Sequence, residues 1–151
     1  MNDELTDLYQ ELILDHSRHP HNFRVMEGSS RVVDAHNPLC GDTLKLYVRL
    51  AEGRIVDASF KGRGCAISMA SASMLTDRVK GCSVEEAKGL FETMHDLLTG
   101  AQPPTGRADL GELESLAGVR NYPMRVKCAT LGWHALKAAL GEDEPQSVST
   151  E

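Results

Sequence analysis

The sequence lacks the features that mark membrane, secreted and nucleic-acid-binding proteins. No apolar run approaches the roughly 20 residues that a helix needs to cross a bilayer. The opening stretch, MNDELTDLYQ, is acidic and amphipathic, which excludes a secretory signal peptide. The 151 residues carry a net charge of −6, whereas contacts to duplex phosphates need clustered lysine and arginine. We therefore expect a cytoplasmic protein that binds neither membrane nor nucleic acid.

The spacing of a zinc finger is also missing, because no C-x-x-C pair occurs. The four cysteines are Cys40, Cys65, Cys82 and Cys128. In the cytoplasm they are not expected to form disulfides, and they are too dispersed for a small secreted scaffold. Metal binding, catalysis and plain burial remain as their possible roles.

Hydrophobic periodicity predicts a helix followed by strands in the first half of the chain. An apolar stripe over residues 5 to 16 indicates a helix that stops before Pro20. Alternating apolar residues in TLKLYVRL, the turn AEGR and the stretch IVDASFKG predict an antiparallel hairpin over residues 43 to 61. RVVDAH, at residues 31 to 36, supplies a third strand.

Helices are predicted in the second half. CAISMASASMLTDRVKG is typical of a helix packed closely on the sheet, and Ser83 with Glu86 forms a capping box that opens a second helix. LGELESLAG predicts a short helix, and Pro123 suits the first turn of a final helix. The fold class is α+β, a small antiparallel sheet of about three strands with helices on one face. We expect one domain over 1–141 and a disordered tail over 142–151.

Cys40 and Asp42 lie in the turn NPLCGD, between the first two predicted strands. Pro38 keeps the residue before it out of the helical region, and Gly41 lets the backbone turn sharply. In extended chain, residues two apart project to the same side, so the thiol and the carboxylate can reach one point in space. A plain surface turn explains the same residues, and both interpretations stay open on chemistry alone.

Cys65 and Cys128 lie in predicted helices. Cys65 follows KGRG at a helix start, where free N–H groups and the positive helix end favour a thiolate. Cys128 belongs to an inward stripe of the final helix, near Arg125 and Lys127. Burial as small apolar residues is the alternative for both. Cys82 has no comparable neighbours and is predicted to be structural.

The histidines are less informative. His16, His19 and His21 cluster at a predicted helix C-terminus, where the helix dipole already favours histidine, so a metal site there is not preferred. His36, His95 and His134 are isolated in sequence and are expected to be ordinary.

Three stretches together resemble the U-type iron–sulfur assembly proteins, the family of IscU, SufU and the NifU N-terminal domain. These are NPLCGD, GRGCAISMASASML and RVKCATLGW, and the opening LYQELILDHSRHPHNF is similar as well. The resemblance covers residues 5 to about 140. It implies a ligand set of Cys40, Asp42, Cys65 and Cys128.

Two departures indicate the SufU branch. Lys127 stands where IscU-type scaffolds have a histidine before the third ligand cysteine, and YPMRVK replaces the stretch that a dedicated chaperone recognises. The segment GELESLAGVRNYP is similar to the insertion that marks SufU. Dependence on the specialised chaperone is therefore not expected.

The resemblance implies a zinc-dependent sulfurtransferase that works with a PLP-dependent cysteine desulfurase of the SufS type. Cys40 would accept the persulfide sulfur, and Arg125 would support the site or contact the partner. A SufB-containing scaffold complex is the candidate acceptor. Two alternatives remain. The same four ligands can hold iron or a transient [2Fe–2S] cluster that is passed on, and the zinc site can instead be purely structural.

Overall fold

The computed structural model describes residues 3–39, 41–100, 110–141 and 147–149. Its elements, in chain order, are α1 (Asp3–Arg18), β1 (Arg31–Asn37), β2 (Asp42–Ala51), β3 (Arg54–Arg63), α2 (Ala66–Val79), α3 (Val84–Thr99), a 3-10 helix (Gly111–Asn121), α4 (Pro123–Leu140) and β4 (Ser147–Ser149). None of the helices within these ranges combines the length and the apolar character that crossing a membrane requires.

The four strands form one sheet in the order β3-β2-β1-β4. β1, β2 and β3 pair antiparallel, which confirms the predicted fold class, and β4 adds to β1 in parallel. β4 lies in the segment 142–151, for which the composition predicts disorder. Composition alone cannot show that a short segment of this tail, Ser147–Ser149, pairs with the edge of β1. The rest of that segment lies outside the described residues.

One face of the sheet forms the floor of the core. Val33 and Ala35 of β1 and Leu44, Leu46 and Val48 of β2 are buried at alternate positions, as a half-buried sheet requires. α4 packs on β1 and β2, and α2 packs on β3. The helices therefore lie on this face, as predicted.

Small side chains allow α2 and α4 to pack closely. A Cβ placed on Gly132 of α4 would lie 3.6 Å from the Cα of Ala72 in α2. The buried Trp133 donates its Nε1–H to Ser71 Oγ at 3.2 Å, and that hydroxyl donates to the Ala129 carbonyl at 2.6 Å. The small residues of α2 thus bring the helix pair together, which fixes where α4 runs relative to the sheet.

The packing of α3 on α4 brings together two histidines that look isolated in sequence. The ring centroids of His95 and His134 are 6.2 Å apart, and Phe91 lies against both rings. Burial lowers the pKa of His134, and the neighbouring His95 and Lys137 lower it further. The folded protein therefore favours the neutral form of His134.

This pKa shift predicts that stability falls as the pH is lowered from about 7 to about 5. In that window the unfolded chain binds a proton at residue 134 more readily than the folded chain does, so lower pH favours unfolding. His134→Gln removes the titrating group, and we expect a flatter dependence of the urea-unfolding free energy on pH. An unchanged slope in the variant would show that His134 does not contribute.

Candidate metal centre

Two strands and a helix converge at one end of the sheet. Asp42 is the first residue of β2 and is buried. β3 ends at Arg63, and only Gly64 separates it from Cys65, the N-cap of α2. The register of β2 on β3 pairs Thr43 with Arg63. Asp42 and Cys65 are thereby placed side by side, although 23 residues separate them in the chain.

Direct bonds hold these two residues together. The main-chain N–H of Cys65 donates to Asp42 Oδ1 at 2.9 Å, and Cys65 Sγ lies 3.9 Å from Asp42 Oδ2. The same sulfur accepts the N–H of Ser68 at 3.4 Å, so it caps the first turn of α2. The predicted place of Cys65 at a helix start is confirmed. Its sulfur faces the N-terminus of α2.

Cys128 reaches the same place from α4. Its side chain is 3% exposed, in agreement with the inward stripe expected from the sequence. The side-chain amide of Asn37, at the end of β1, donates to Cys128 Sγ at 3.6 Å. The third sulfur-bearing element thus joins the site through the packing of α4 on β1 and β2.

The ligand atoms of Asp42, Cys65 and Cys128 all lie within 4.8 Å of one another. Two sulfurs and a carboxylate oxygen at such separations can share one metal ion. Asp42 and Cys128 are buried and Cys65 is exposed, so the group is open on the side of Cys65. Across the described parts of the chain, no other group of three or more cysteine, histidine or acidic side chains comes close enough to hold a metal ion.

Cys40, the remaining predicted ligand, lies outside the described residues. The residues around it are placed: Asn37 and Asp42 are register partners, so the turn between them closes a hairpin. Leu39 N–H donates to Asn37 Oδ1 at 3.2 Å, and Gly41 N–H donates to the Asn37 carbonyl at 2.8 Å. Gly41 has φ 75°, which confirms the sharp turn expected there. The role of Cys40 stays a prediction.

Two glycines on either side of Arg63 permit this close assembly. A Cβ on Gly64 would lie 2.6 Å from Asp42 Oδ1, and one on Gly62 would lie 2.1 Å from the Thr43 carbonyl oxygen. Gly62 also has φ 149°, a backbone angle that residues with a side chain rarely adopt. The two glycines of GRG therefore allow the end of β3 and the start of α2 to lie close to the start of β2.

Arg125, the predicted supporting residue, is exposed in the first turn of α4. Its guanidinium carbon lies 5.0 Å from the centre of the Tyr122 ring. Lys127 is half-buried, directly before Cys128. Both cations are on the helix that carries Cys128, and the supporting role of Arg125 stays a prediction.

The amino-terminal histidine cluster makes structural contacts. His16 is 2% exposed, and its two ring nitrogens lie 2.7 Å from Ser73 Oγ and 2.7 Å from Glu112 Oε2. His21 is bonded to Asp77 through its ring and donates its main-chain N–H to Ser73 Oγ. These contacts tie α1 to α2 and to the 3-10 helix, and they give His16 and His21 structural roles.

Asn37 is the site residue that the sequence did not reveal. In the sequence it is only the residue before Pro38, whose conformation the proline restricts. Its partner Cys128 is 91 residues away, and no local pattern reports a contact over that distance. The one available signal is its position: Asn37 is a polar residue that directly follows a predicted strand, just before the turn with Cys40.

Comparison with known proteins identifies the family. The family model described as "NifU-like N terminal domain" matches residues 8–129. The zinc-dependent sulfurtransferase SufU of Bacillus subtilis is 42% identical over 143 residues, which cover 95% of this chain and 96% of that protein. The iron–sulfur cluster assembly scaffold protein IscU of Streptococcus pyogenes is 44% identical over 137 residues, covering 91% and 85%.

A solved structure has the same fold. The crystal structure of a candidate iron–sulfur cluster assembly scaffold protein for the SUF system, from Fervidobacterium islandicum AW-1, superimposes with a TM-score of 0.82 at 34% identity. The match covers 87% of this chain and 95% of that one. With the family model spanning most of the chain, the protein belongs to the NifU-like N-terminal domain family, that of the SufU and IscU iron–sulfur cluster assembly proteins.

Proposed function

We propose that this protein is a zinc-dependent sulfur carrier, in which Cys40 accepts persulfide sulfur from a PLP-dependent cysteine desulfurase of the SufS type. The observation that carries the proposal is the convergence of Asp42, Cys65 and Cys128 at the base of the turn that contains Cys40. A relative 42% identical over nearly the whole chain is named a zinc-dependent sulfurtransferase.

The donor chemistry fits zinc. Proteins bind zinc through cysteine sulfur and carboxylate oxygen, usually with four ligands in a tetrahedron. Asp42, Cys65 and Cys128 offer three such donors, and Cys40 would complete the set. When bound, zinc supplies positive charge that keeps the cysteines as thiolates. Three thiolates and a carboxylate outweigh that charge, and Lys127 is near enough in the chain to offset part of the excess.

The proposed reaction is a thiol–disulfide type exchange. The Cys40 thiolate attacks the terminal sulfur of the persulfide on the desulfurase. A sulfur–sulfur bond to Cys40 forms while the bond in the donor persulfide breaks, and the donor cysteine leaves as a thiolate. Charge and electrons therefore balance without a further oxidant or reductant.

The open side of the site suits such an encounter. Cys65 is exposed, and Leu39, next to Cys40, is 54% exposed. Tyr122 and Met124, at the start of the helix that carries Cys128, are also exposed. Tyrosine and methionine are enriched at interfaces between proteins. We infer that the desulfurase approaches from this side.

A second candidate function is a scaffold on which a [2Fe–2S] cluster is assembled and passed on. It is favoured by the relative named as an IscU scaffold, which is 44% identical to this chain. Three cysteines and a carboxylate can hold such a cluster. The lysine at position 127 weighs against it, because IscU-type scaffolds have a histidine directly before the third ligand cysteine.

The deciding experiment compares desulfurase turnover with the wild type, Cys40→Ala and Cys82→Ala. We expect Cys40→Ala to lower the stimulated rate by about 100-fold or more, as loss of a nucleophile does. Cys82→Ala is the matched control: its thiol is half-buried near Arg78, between α2 and α3, and its removal should leave stimulation unchanged.

Undiminished stimulation by Cys40→Ala would refute the sulfur-carrier function. The scaffold function is tested by anaerobic reconstitution with iron and sulfide in competition with bound zinc. A cluster that displaces zinc and moves to an apo-protein would favour the scaffold, and retention of zinc would favour the carrier.

A further inference from the structure

Asn37 occupies an unusual place for an amide side chain. It is the last residue of β1, has no exposed surface, and pairs in register with the candidate ligand Asp42. Burying an amide is costly unless its polar atoms are hydrogen-bonded. The bonds that Asn37 makes therefore account for its presence.

Those bonds go to two separate parts of the site. The side-chain N–H donates to Cys128 Sγ at 3.6 Å, on α4. The side-chain oxygen accepts the N–H of Leu39 at 3.2 Å, and the main-chain oxygen accepts the N–H of Gly41 at 2.8 Å. Leu39 and Gly41 are the two neighbours of Cys40 in the chain. One residue thus links the turn that contains Cys40 to the sulfur of Cys128.

The link is more than a turn-forming contact. An asparagine that only shapes a turn needs its side-chain oxygen, and its amide can face solvent. Here the amide is buried and donates to the Cys128 sulfur, a contact that the turn itself does not require. The amide therefore ties the position of the Cys128 sulfur to the end of β1.

We propose that Asn37 is a positioning residue that holds the Cys40 turn against Cys128 and orients the Cys128 sulfur. Residues that bond to a metal ligand orient it and commonly change metal affinity when they are replaced. The proposal rests on the proposed function in one respect, that Cys40 and Cys128 belong to the same centre.

Two variants separate the two bonds. Asn37→Leu is close in volume and removes both the donor to Cys128 and the acceptor for Leu39. Asn37→Ser is too short to reach the sulfur, but its hydroxyl can still accept the Leu39 N–H, as serine does in turns. Thr130→Val is the matched control, because Thr130 is buried on α4 near Cys128 and its hydroxyl bonds to the Val126 carbonyl instead.

The first readout is spectroscopic. In cobalt(II)-substituted protein, loss of an N–H bond to sulfur makes the thiolate a better electron donor, so its charge-transfer band should move to longer wavelength. We expect this shift in both Asn37 variants, together with zinc affinity about 10- to 100-fold lower in competition with a chelating dye. Thr130→Val should keep the wild-type band and affinity.

The second readout concerns the turn. Iodoacetamide alkylation of Cys40 in zinc-loaded protein, followed by mass spectrometry, should be several-fold faster in Asn37→Leu than in Asn37→Ser or the wild type. If Asn37→Leu matches Thr130→Val in band position and in alkylation rate, the proposal is overturned. A band shift without faster alkylation also overturns it, because the turn would then be held independently.

These measurements need no desulfurase, so they remain readable if the sulfur-carrier function fails. Thermal unfolding establishes that each variant is folded before it is loaded with metal. If Asn37→Leu does not fold, Asn37→Ser decides through the cobalt band, and an unmoved band refutes the contact with Cys128.

Discussion

Replacing Cys65 with serine should abolish tight metal binding while leaving the fold close to its original stability. Serine is among the best N-cap residues, so its hydroxyl can accept the Ser68 N–H that the Cys65 sulfur now accepts. A neutral hydroxyl cannot replace a thiolate as a zinc ligand. We expect zinc affinity to fall by more than the roughly 100-fold that loss of a neighbouring group produces.

Cys65→Ala makes the comparison sharper, because it removes both the ligand and the cap. It should lose metal binding to the same extent and also lose about 1 kcal/mol of stability, the usual effect of removing an N-cap. Metal competition and urea unfolding measure the two effects separately. Wild-type zinc affinity in Cys65→Ser would exclude Cys65 as a ligand, and Cys82→Ser serves as the cysteine control.

Gly62→Ala should destabilise the fold by about 3 kcal/mol or more. The new Cβ would lie 2.1 Å from the Thr43 carbonyl oxygen and 2.9 Å from the Leu44 Cα, both main-chain atoms that cannot rotate away. The backbone angle of φ 149° adds strain for any side chain. Since Thr43 follows Asp42, the displacement should also impair metal binding.

Gly89→Ala is the matched control. Gly89 lies within α3, and a Cβ there meets nothing within 4 Å. The change should stabilise the protein by up to about 1 kcal/mol through helix propensity. Urea unfolding of both variants gives the free energies, and a loss below about 1 kcal/mol in Gly62→Ala would show that β3 can shift without cost.

Features set by neighbouring residues could be predicted from the sequence. The hairpin of β2 and β3 follows from alternation around a short turn, and the capping box of Ser83 and Glu86 is present at the start of α3. Pro123 begins α4 as expected. β4 was not predicted, because the three residues SVS are too short to signal a strand and gain that structure by pairing with the edge of β1.

In the candidate site, too, local features could be predicted from the sequence and contacts between distant residues could not. The cap position of Cys65 could be predicted from GRG and the helix that follows, but its convergence with Cys128 depends on how α2 packs on α4 and the sheet. The spacing of the cysteines in the chain does not show which of them converge. The ligand set came from the resemblance to a family. The contacts of Asn37 and His16 span 91 and 57 residues, and only tertiary packing creates them.

In the described residues, other parts of the chain cover stretches of both outer strands of the antiparallel β1–β2–β3 sheet. β4 pairs with Asp34–His36 of β1, and on β3 Phe60 N–H donates to the Asn22 carbonyl while Ile55 N–H donates to the Cys82 carbonyl. Open strand edges recruit strands from other chains and promote aggregation. At these covered stretches a partner cannot add a strand to the sheet. A partner that approaches these stretches meets side chains instead of free backbone groups, and such a contact is more easily released than an added strand.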